Sequence, residues 1–218
     1  NLVLDGKIVT SVLSLGVSPF IMQATECLIQ LTFNNGMLKY GNDLYVALMS
    51  ILFSLTQLIW MPLNGFSQGA QPVIGYNYGA KRFDRIRQGI RASLLIAAIW
   101  SVAVFIICHT VEGALIRFVA STTDAEVIYW GSMYLKVDMS FIIVCGVIVI
   151  LRNSMQGFGD RVIPVFSSCI ELAGKIIFAF VFAPVFAYWG IIWAEPVVWI
   201  AMVIPLIVKV VHTLKKEI

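Results

Sequence analysis

SQGAQPVIGYNYGAKRFDRIRQGIR, residues 67 to 91, lies between two long apolar segments, and its reading decides the fold. Five basic residues (Lys81, Arg82, Arg85, Arg87 and Arg91) follow a Gly/Asn/Tyr turn. A positive cluster at the end of a hydrophobic span fixes which side of a bilayer that end faces. The stretch therefore marks a helix end and an orientation, and the segments around it should read as membrane.

Composition agrees. Of 218 residues, 60% are hydrophobic and only 12% charged, and mean hydropathy is +0.90. Soluble domains carry about a quarter charged residues, so a water-soluble fold is excluded. The net charge of +3 is small, and no nucleic-acid partner is expected from it. Cys27, Cys108, Cys145 and Cys169 are far apart, with no CxxC pair and no cysteine–histidine set at zinc-ligand spacing; they read as small packing residues rather than as a zinc site or a disulfide framework. No cofactor or metal is expected. The chain opens without an initiator Met, a charged leader or a cleavage site, so it reads as part of a longer protein.

Apolar segments of about 20 residues span a bilayer as helices. They fall over 8–33, 44–66, 89–109, 129–151, 162–183 and 188–211. Continuous apolarity, without period-two alternation, excludes barrel strands. The expected fold is all-α: a polytopic six-helix membrane bundle. NNG at 34–36, YGND at 40–43, GFGD at 157–160 and AP at 183–184 are turn-formers that should end helices. Thr123 with Glu126 makes a capping box for the fourth helix.

Sorting the basic residues by side tests this topology. Eleven fall on one alternating face: Lys7, the five of the opening cluster, Arg152, Arg161, Lys209, Lys215 and Lys216. Lys39 and Arg117 fall on the other, and Lys136 and Lys175 lie within spans. Both chain ends are thus expected in the cytoplasm.

Ionisable groups at membrane depth are costly and usually face protein or a watery cavity. Six lie in spans: Glu26, Lys136, Asp138, Glu171, Lys175 and Glu195. On the first helix Pro19, Gln23, Glu26 and Gln30 share one face at helical spacing; on the second, Ser50, Ser54, Gln57, Met61, Asn64 and Gln68 do the same. Two polar stripes on adjacent helices are either the walls of a hydrated chamber or interhelical hydrogen-bond glue. Glue suits the serines, and a chamber suits Gln23, Glu26 and Gln57. Met22, Met49, Met61 and Phe53 could add an adaptable drug surface, with packing or lipid contact as the default for each. Glu171 and Lys175 stand at i and i+4 in the favourable order and read as a structural ion pair. Glu26 has no local base, which makes it the first candidate for cation coupling, with Asp138 second. For Glu195, just before Pro196, the bland alternative is a kinked helix near the interface with its carboxylate reaching for water. Pro62 makes the second span the one expected to bend.

QGAQPVIGYNYGAKRFDRIRQGIR resembles the signature of multidrug and toxic compound extrusion (MATE) transporters, in their MepA-like bacterial branch. GVSPFIMQ is similar to the start of the family's seventh helix, LRNSMQGFGDRVIPV to the end of its tenth, and YWGIIWAEP to the entry to its twelfth. The resemblance implies the second of two six-helix lobes in a bacterial inner membrane, with an N-terminal six-helix lobe as its missing partner. It also implies an antiporter that expels bulky, often cationic drugs in exchange for protons or sodium. An acidic residue on the seventh helix is a family trait that Glu26 matches; a family carboxylate in the tenth helix would fall near Cys145, so Asp138 departs from the pattern. For Gly75, Tyr76, Asn77, Gly79, Lys81 and Arg82 the expected role is a helix-ending turn and cytoplasmic anchor rather than ligand contact. A lipid-linked oligosaccharide flippase of the same superfamily is the alternative; it would need a more cationic chamber. An enzyme is not expected, since the only histidines are His109 and His212 and no nucleophile constellation is present.

Overall fold

The computed structural model describes residues 6–40, 43–120, 124–186 and 188–216, and no strand occurs among them. In chain order the helices are α1 (Gly6–Tyr40), α2 (Asp43–Gly79), α3 (Phe83–Thr110), α4 (Glu112–Ala120), α5 (Ala125–Ser140), α6 (Ile142–Gly157) and α7 (Val162–Ile177). A π-helical turn, Phe178–Phe182, then leads into α8 (Ala183–Phe186), α9 (Tyr188–Ile192) and α10 (Ala194–Lys216). Four helices are long and apolar enough to cross a membrane, and the pair α5–α6, bent by 53°, passes the same test as one broken span. At 1.5 Å rise per residue, the 37 residues of α2 reach about 55 Å, so length suits it to span as well.

Several boundaries differ from the expected ones. NNG at 34–36 lies inside α1, because helical hydrogen bonding carries through it to Tyr40. Pro62 and Pro72 both lie inside an unbroken α2, and a bend of 53° sits within the expected 129–151 span, where Phe141 separates α5 from α6 and its N–H donates to the Asp138 carbonyl at 3.1 Å. Thr123 lies outside the described residues. The cap of α5 is Asp124, whose carboxylate accepts from the Glu126 N–H at 2.8 Å.

Small residues bring the helices close. The buried stripe of α3 runs Ile86, Ile90, Ser93, Ala97, Ser101, Val104, Cys108, a three-or-four spacing that keeps one face on the bundle, while Leu95, Ile99 and Val102 on its other side are exposed, as a lipid-facing surface requires. A Cβ on Gly146 of α6 would stand 3.5 Å from Ala97 Cβ and 3.3 Å from Ser101 Oγ. Without a hydrophobic drive between helices in lipid, such small-on-small contacts are what allow tight association. Closer still, a Cβ on Gly174 of α7 would meet Val198 Cγ2 of α10 at 2.6 Å.

The opening stretch acquires a specific structure. GYNY remains helical, and the turn comes after Gly79: Arg82 N–H donates to the Asn77 carbonyl at 2.9 Å and Lys81 N–H to that of Tyr78 at 3.0 Å, with Lys81 at φ 54°. These two bonds around a left-handed residue make a Schellman cap. The end of α6 uses the same device, with Asp160 N–H on the Met155 carbonyl, Gly159 N–H on that of Gln156, and Gly159 at φ 79°. The two ends also touch: the Tyr78 and Phe158 ring centroids are 5.0 Å apart, and a Cβ on Gly75 would lie 3.0 Å from the Gly157 carbonyl oxygen. The two stretches GYNYGAK and GFGD thus form one helix–helix crossing, which gives Gly75 a packing role in addition to the turn that follows it.

Candidate functional site

Helices α1, α2, α5, α6, α7 and α10 enclose a cavity of about 860 Å³. The two polar stripes supply one side of it. Gln23, Glu26 and Gln30 come from α1, and Gln57, Met61 and Asn64 from α2. Asp138 comes from α5, so every residue read from the sequence as chamber or coupling candidate lines the same space. Met22 and Phe53 line it too; the Met49 side chain lies outside the described residues. Ser54, by contrast, hydrogen-bonds the Ser50 carbonyl of its own helix at 2.9 Å.

Polarity is layered. Gln23, Gln30, Gln57 and Met61 are exposed at the rim, and Met61 keeps 70% of its surface accessible. Charge collects at the buried base. There Arg152 Nη2 lies 3.1 Å from Glu171 Oε2, Lys175 Nζ lies 3.1 Å from Glu171 Oε1, and Lys175 Nζ lies 2.9 Å from Glu195 Oε1. This is an alternating row, Arg–Glu–Lys–Glu, in which each base holds a different oxygen of Glu171. Arg152 is further fixed by a 3.3 Å bond to Ser167 Oγ.

Three sequence assignments change here. Glu171 and Lys175 do pair, but as the centre of a four-residue network rather than as an isolated couple. Glu195 is buried against Lys175 instead of reaching for water, because the close α7–α10 crossing at Gly174 sets the two side chains together. Arg152, counted with the flanking positives, lies inside the bundle a turn and a half before the end of α6. The signal for it was available: Arg152, Asn153 and Gln156 make a polar face on an otherwise apolar helix, and all three line the cavity. Lys136, read as a charge within a span, pairs with Glu112 at 2.7 Å near the start of α4.

Asp138 differs from its neighbours. Its side chain is 1% exposed, and neither carboxylate oxygen has a hydrogen-bond partner among the described residues. Other buried polar atoms without a partner there are Thr56 Oγ1, Trp60 Nε1 and Arg152 Nε, all belonging to residues that line the cavity. Asn77 Oδ1, near the end of α2, is the exception. Buried polar groups are paired in the great majority of cases, so their concentration around one cavity marks a place built to meet polar groups from outside the fold. Glu26, on α1, makes no ion pair among the described residues, yet it lies within electrostatic reach of Glu171, Lys175, Glu195 and Arg152. Among the described residues no cluster of three His, Cys, Asp or Glu has the geometry to hold a metal ion.

Comparison with known proteins places this geometry. A family model described as MatE matches residues 19–189. The chain is 24% identical over 192 residues to the multidrug export protein MepA of Staphylococcus aureus (strain MSSA476), an alignment covering 86% of this chain and 41% of that protein. A MepA of Staphylococcus haemolyticus (strain JCSC1435) is 23% identical, over 84% of this chain and 40% of its own length. The chain thus spans about two fifths of the curated relatives it matches. Among solved structures, a MATE crystal structure in the bent conformation superposes with a TM-score of 0.86 at 16% identity, over 99% of this chain and 48% of that one. Half of that fold corresponds to all of this one.

Proposed function

The chain belongs to the MatE family, and from that membership we propose that it is the C-terminal lobe of a secondary multidrug antiporter, exporting organic, often cationic compounds against protons or sodium by alternating access. The observation that carries this reading is the cavity itself. Exposed glutamines and a methionine at the rim of a membrane bundle need a polar or protein neighbour, and an N-terminal six-helix lobe facing this wall would complete the chamber. Flexible, polarizable Met22 and Met61 beside Phe53 and Trp60 suit a surface that accepts varied apolar bodies.

Glu26 is the proposed coupling residue and Asp138 its companion, while Gln23, Gln30, Gln57, Asn64 and Met61 form the substrate wall. Glu26 lines the chamber, half-buried between the exposed Gln23 and Gln30 of its helix and within electrostatic reach of the charged base, where it can exchange a proton or cation. Four carboxylates face two bases across the cavity, a balance that favours cationic ligands and speaks against a pyrophosphate-bearing flippase substrate. The basic cluster from Lys81 to Arg91 supports an orientation with both chain ends in the cytoplasm of a bacterial plasma membrane.

The test is transport by the full-length protein in proteoliposomes with an imposed pH gradient and a fluorescent organic cation. Glu26→Gln should fold normally and lose gradient-driven efflux. Undiminished efflux with the same pH dependence would remove Glu26 from the mechanism.

A further inference from the structure

The charges facing the cavity come from every element around its base: Glu26 on α1, Asp138 on α5, Arg152 on α6, Glu171 and Lys175 on α7, and Glu195 on α10. Tyr134 and Cys145 are the neighbouring titratable groups without ordinary charge at neutral pH. The two bases are both committed. Arg152 holds Glu171, and Lys175 is shared by Glu171 and Glu195, with all three contacts at or below 3.1 Å. A buried charge is tolerated only when paired and hydrogen-bonded, and on this count the internal bases serve Glu171 and Glu195. Glu26 and Asp138 remain, the first without an ion pair and the second with both oxygens unbonded among the described residues. Lys175 lies within electrostatic reach of both.

We propose that Lys175 is the cavity's internal counter-cation: with Arg152 it neutralises Glu171 and Glu195, so that Glu26 and Asp138 must be balanced from outside and the chamber takes up two positive charges, as protons, as cationic ligand or as one of each. This rests on the cavity being a transport chamber. Exchange is electrically balanced: for each positive charge a ligand brings in, one carboxylic O–H releases its proton to solution and the resulting carboxylate pairs with the ligand. A monocation displaces one proton and leaves the other in place; a dication displaces two. Lys175 acts through the carboxylates and is a positioning residue.

The experiment counts protons released per ligand bound, in weak buffer, on the full-length protein in detergent. The probes are tetraphenylphosphonium, a monocation, and decamethonium, a bis-quaternary dication. The wild type should release one proton with the first and two with the second. Asp138→Asn should release only one with decamethonium. Adding Lys175→Gln to Asp138→Asn should restore the second proton, because Glu195 then loses its internal partner and becomes the replacement site; a purely structural lysine would make the double variant worse. The neutral pair Lys175→Gln/Glu195→Gln keeps the charge balance and should retain wild-type counts, which covers the case in which Lys175→Gln with Asp138→Asn does not fold. One proton released with decamethonium by the wild type, failure of the folded double variant to regain the second, or a changed count in the neutral pair each overturns the proposal while leaving the chamber intact. If neither probe binds the wild type, the chamber reading falls and the charge count with it.

Discussion

Lys175 Nζ lies 2.9 Å from Glu195 Oε1 and ties α7 to α10 at the base of the cavity. The contact depends on the residue before the lysine. A methyl group on Gly174 would stand 2.6 Å from Val198 Cγ2, and valine, stiff at χ1, has no easy rotamer to yield. Gly174→Ala should therefore push the helices apart and destabilise the lobe by about 1–3 kcal/mol, the usual cost of overpacking. A lowered unfolding midpoint in detergent, partly recovered by Val198→Ala, is expected. An unchanged midpoint would show that α10 can shift freely.

A second stability effect runs the other way. Lys81 holds φ 54° as the left-handed residue of the α2 cap, a conformation that costs an L side chain roughly 1–2 kcal/mol and costs glycine little. Lys81→Gly should raise the unfolding midpoint, while Gly159→Ala at the matching position of the α6 cap, φ 79°, should lower it. The two shifts should have opposite signs. If both fall, the caps are not the reason.

Glu112 stands outside the spans, and its pair with Lys136 predicts a pH dependence. The hydrogen bond from Lys136 holds the Glu112 carboxyl below its ordinary value. A carboxylate with a lowered folded-state value contributes stability that is fully present above the unfolded value, about 4.3, and is lost as pH falls through the folded one. Wild type should thus be more stable than Lys136→Met at neutral pH, with the gap closing below about pH 4. Because the lysine is well exposed, the gap should be small and should shrink in salt. A pH-independent difference would assign the effect to packing.

Orientation is open to chemical labelling. In a background without the four native cysteines, Lys81→Cys should react with a membrane-impermeant maleimide only in inside-out vesicles. Phe118→Cys on α4, where the native ring is 84% exposed, should react only from outside. The opposite pattern would invert the proposed topology, whatever the family.

The stripes on α1 and α2 were legible because helical periodicity alone puts Gln23, Glu26 and Gln30, or Gln57, Met61 and Asn64, on one face, and the cavity lies along both faces. Glu171 and Lys175 were legible for the same local reason. Glu195 was not, since its partner stands on another helix at a crossing set by Gly174, and no local spacing encodes that crossing. Arg152 was misplaced because a basic residue near a span end satisfies a topology count as readily as it satisfies a buried carboxylate. NNG at 34–36 failed as a stop because those residues disfavour a helix without forbidding one. The break at Phe141 carries no proline or glycine to announce it.

The signature stretch itself leads to a double-mutant prediction. Gly75 and Gly157 face each other with their backbones in contact: a Cβ on the first would lie 3.0 Å from the Gly157 oxygen, and a Cβ on the second 3.0 Å from the Gln71 oxygen. Neither obstacle is a side-chain tip that can rotate aside, so the helices must separate to admit a methyl. Gly75→Ala and Gly157→Ala should each cost about 1–3 kcal/mol. Together they should cost less than the sum, because the first methyl already opens the crossing that the second requires, and contacting residues couple by about 0.5–3 kcal/mol. The tilted ring contact of Tyr78 with Phe158, centroids 5.0 Å apart, reports on the same gap: Phe158→Ala should lose less in the Gly75→Ala background than in the wild type. Strict additivity of the two glycine substitutions in unfolding free energy would mean that α2 and α6 accommodate them locally, and that the motif is conformational rather than a packing seam.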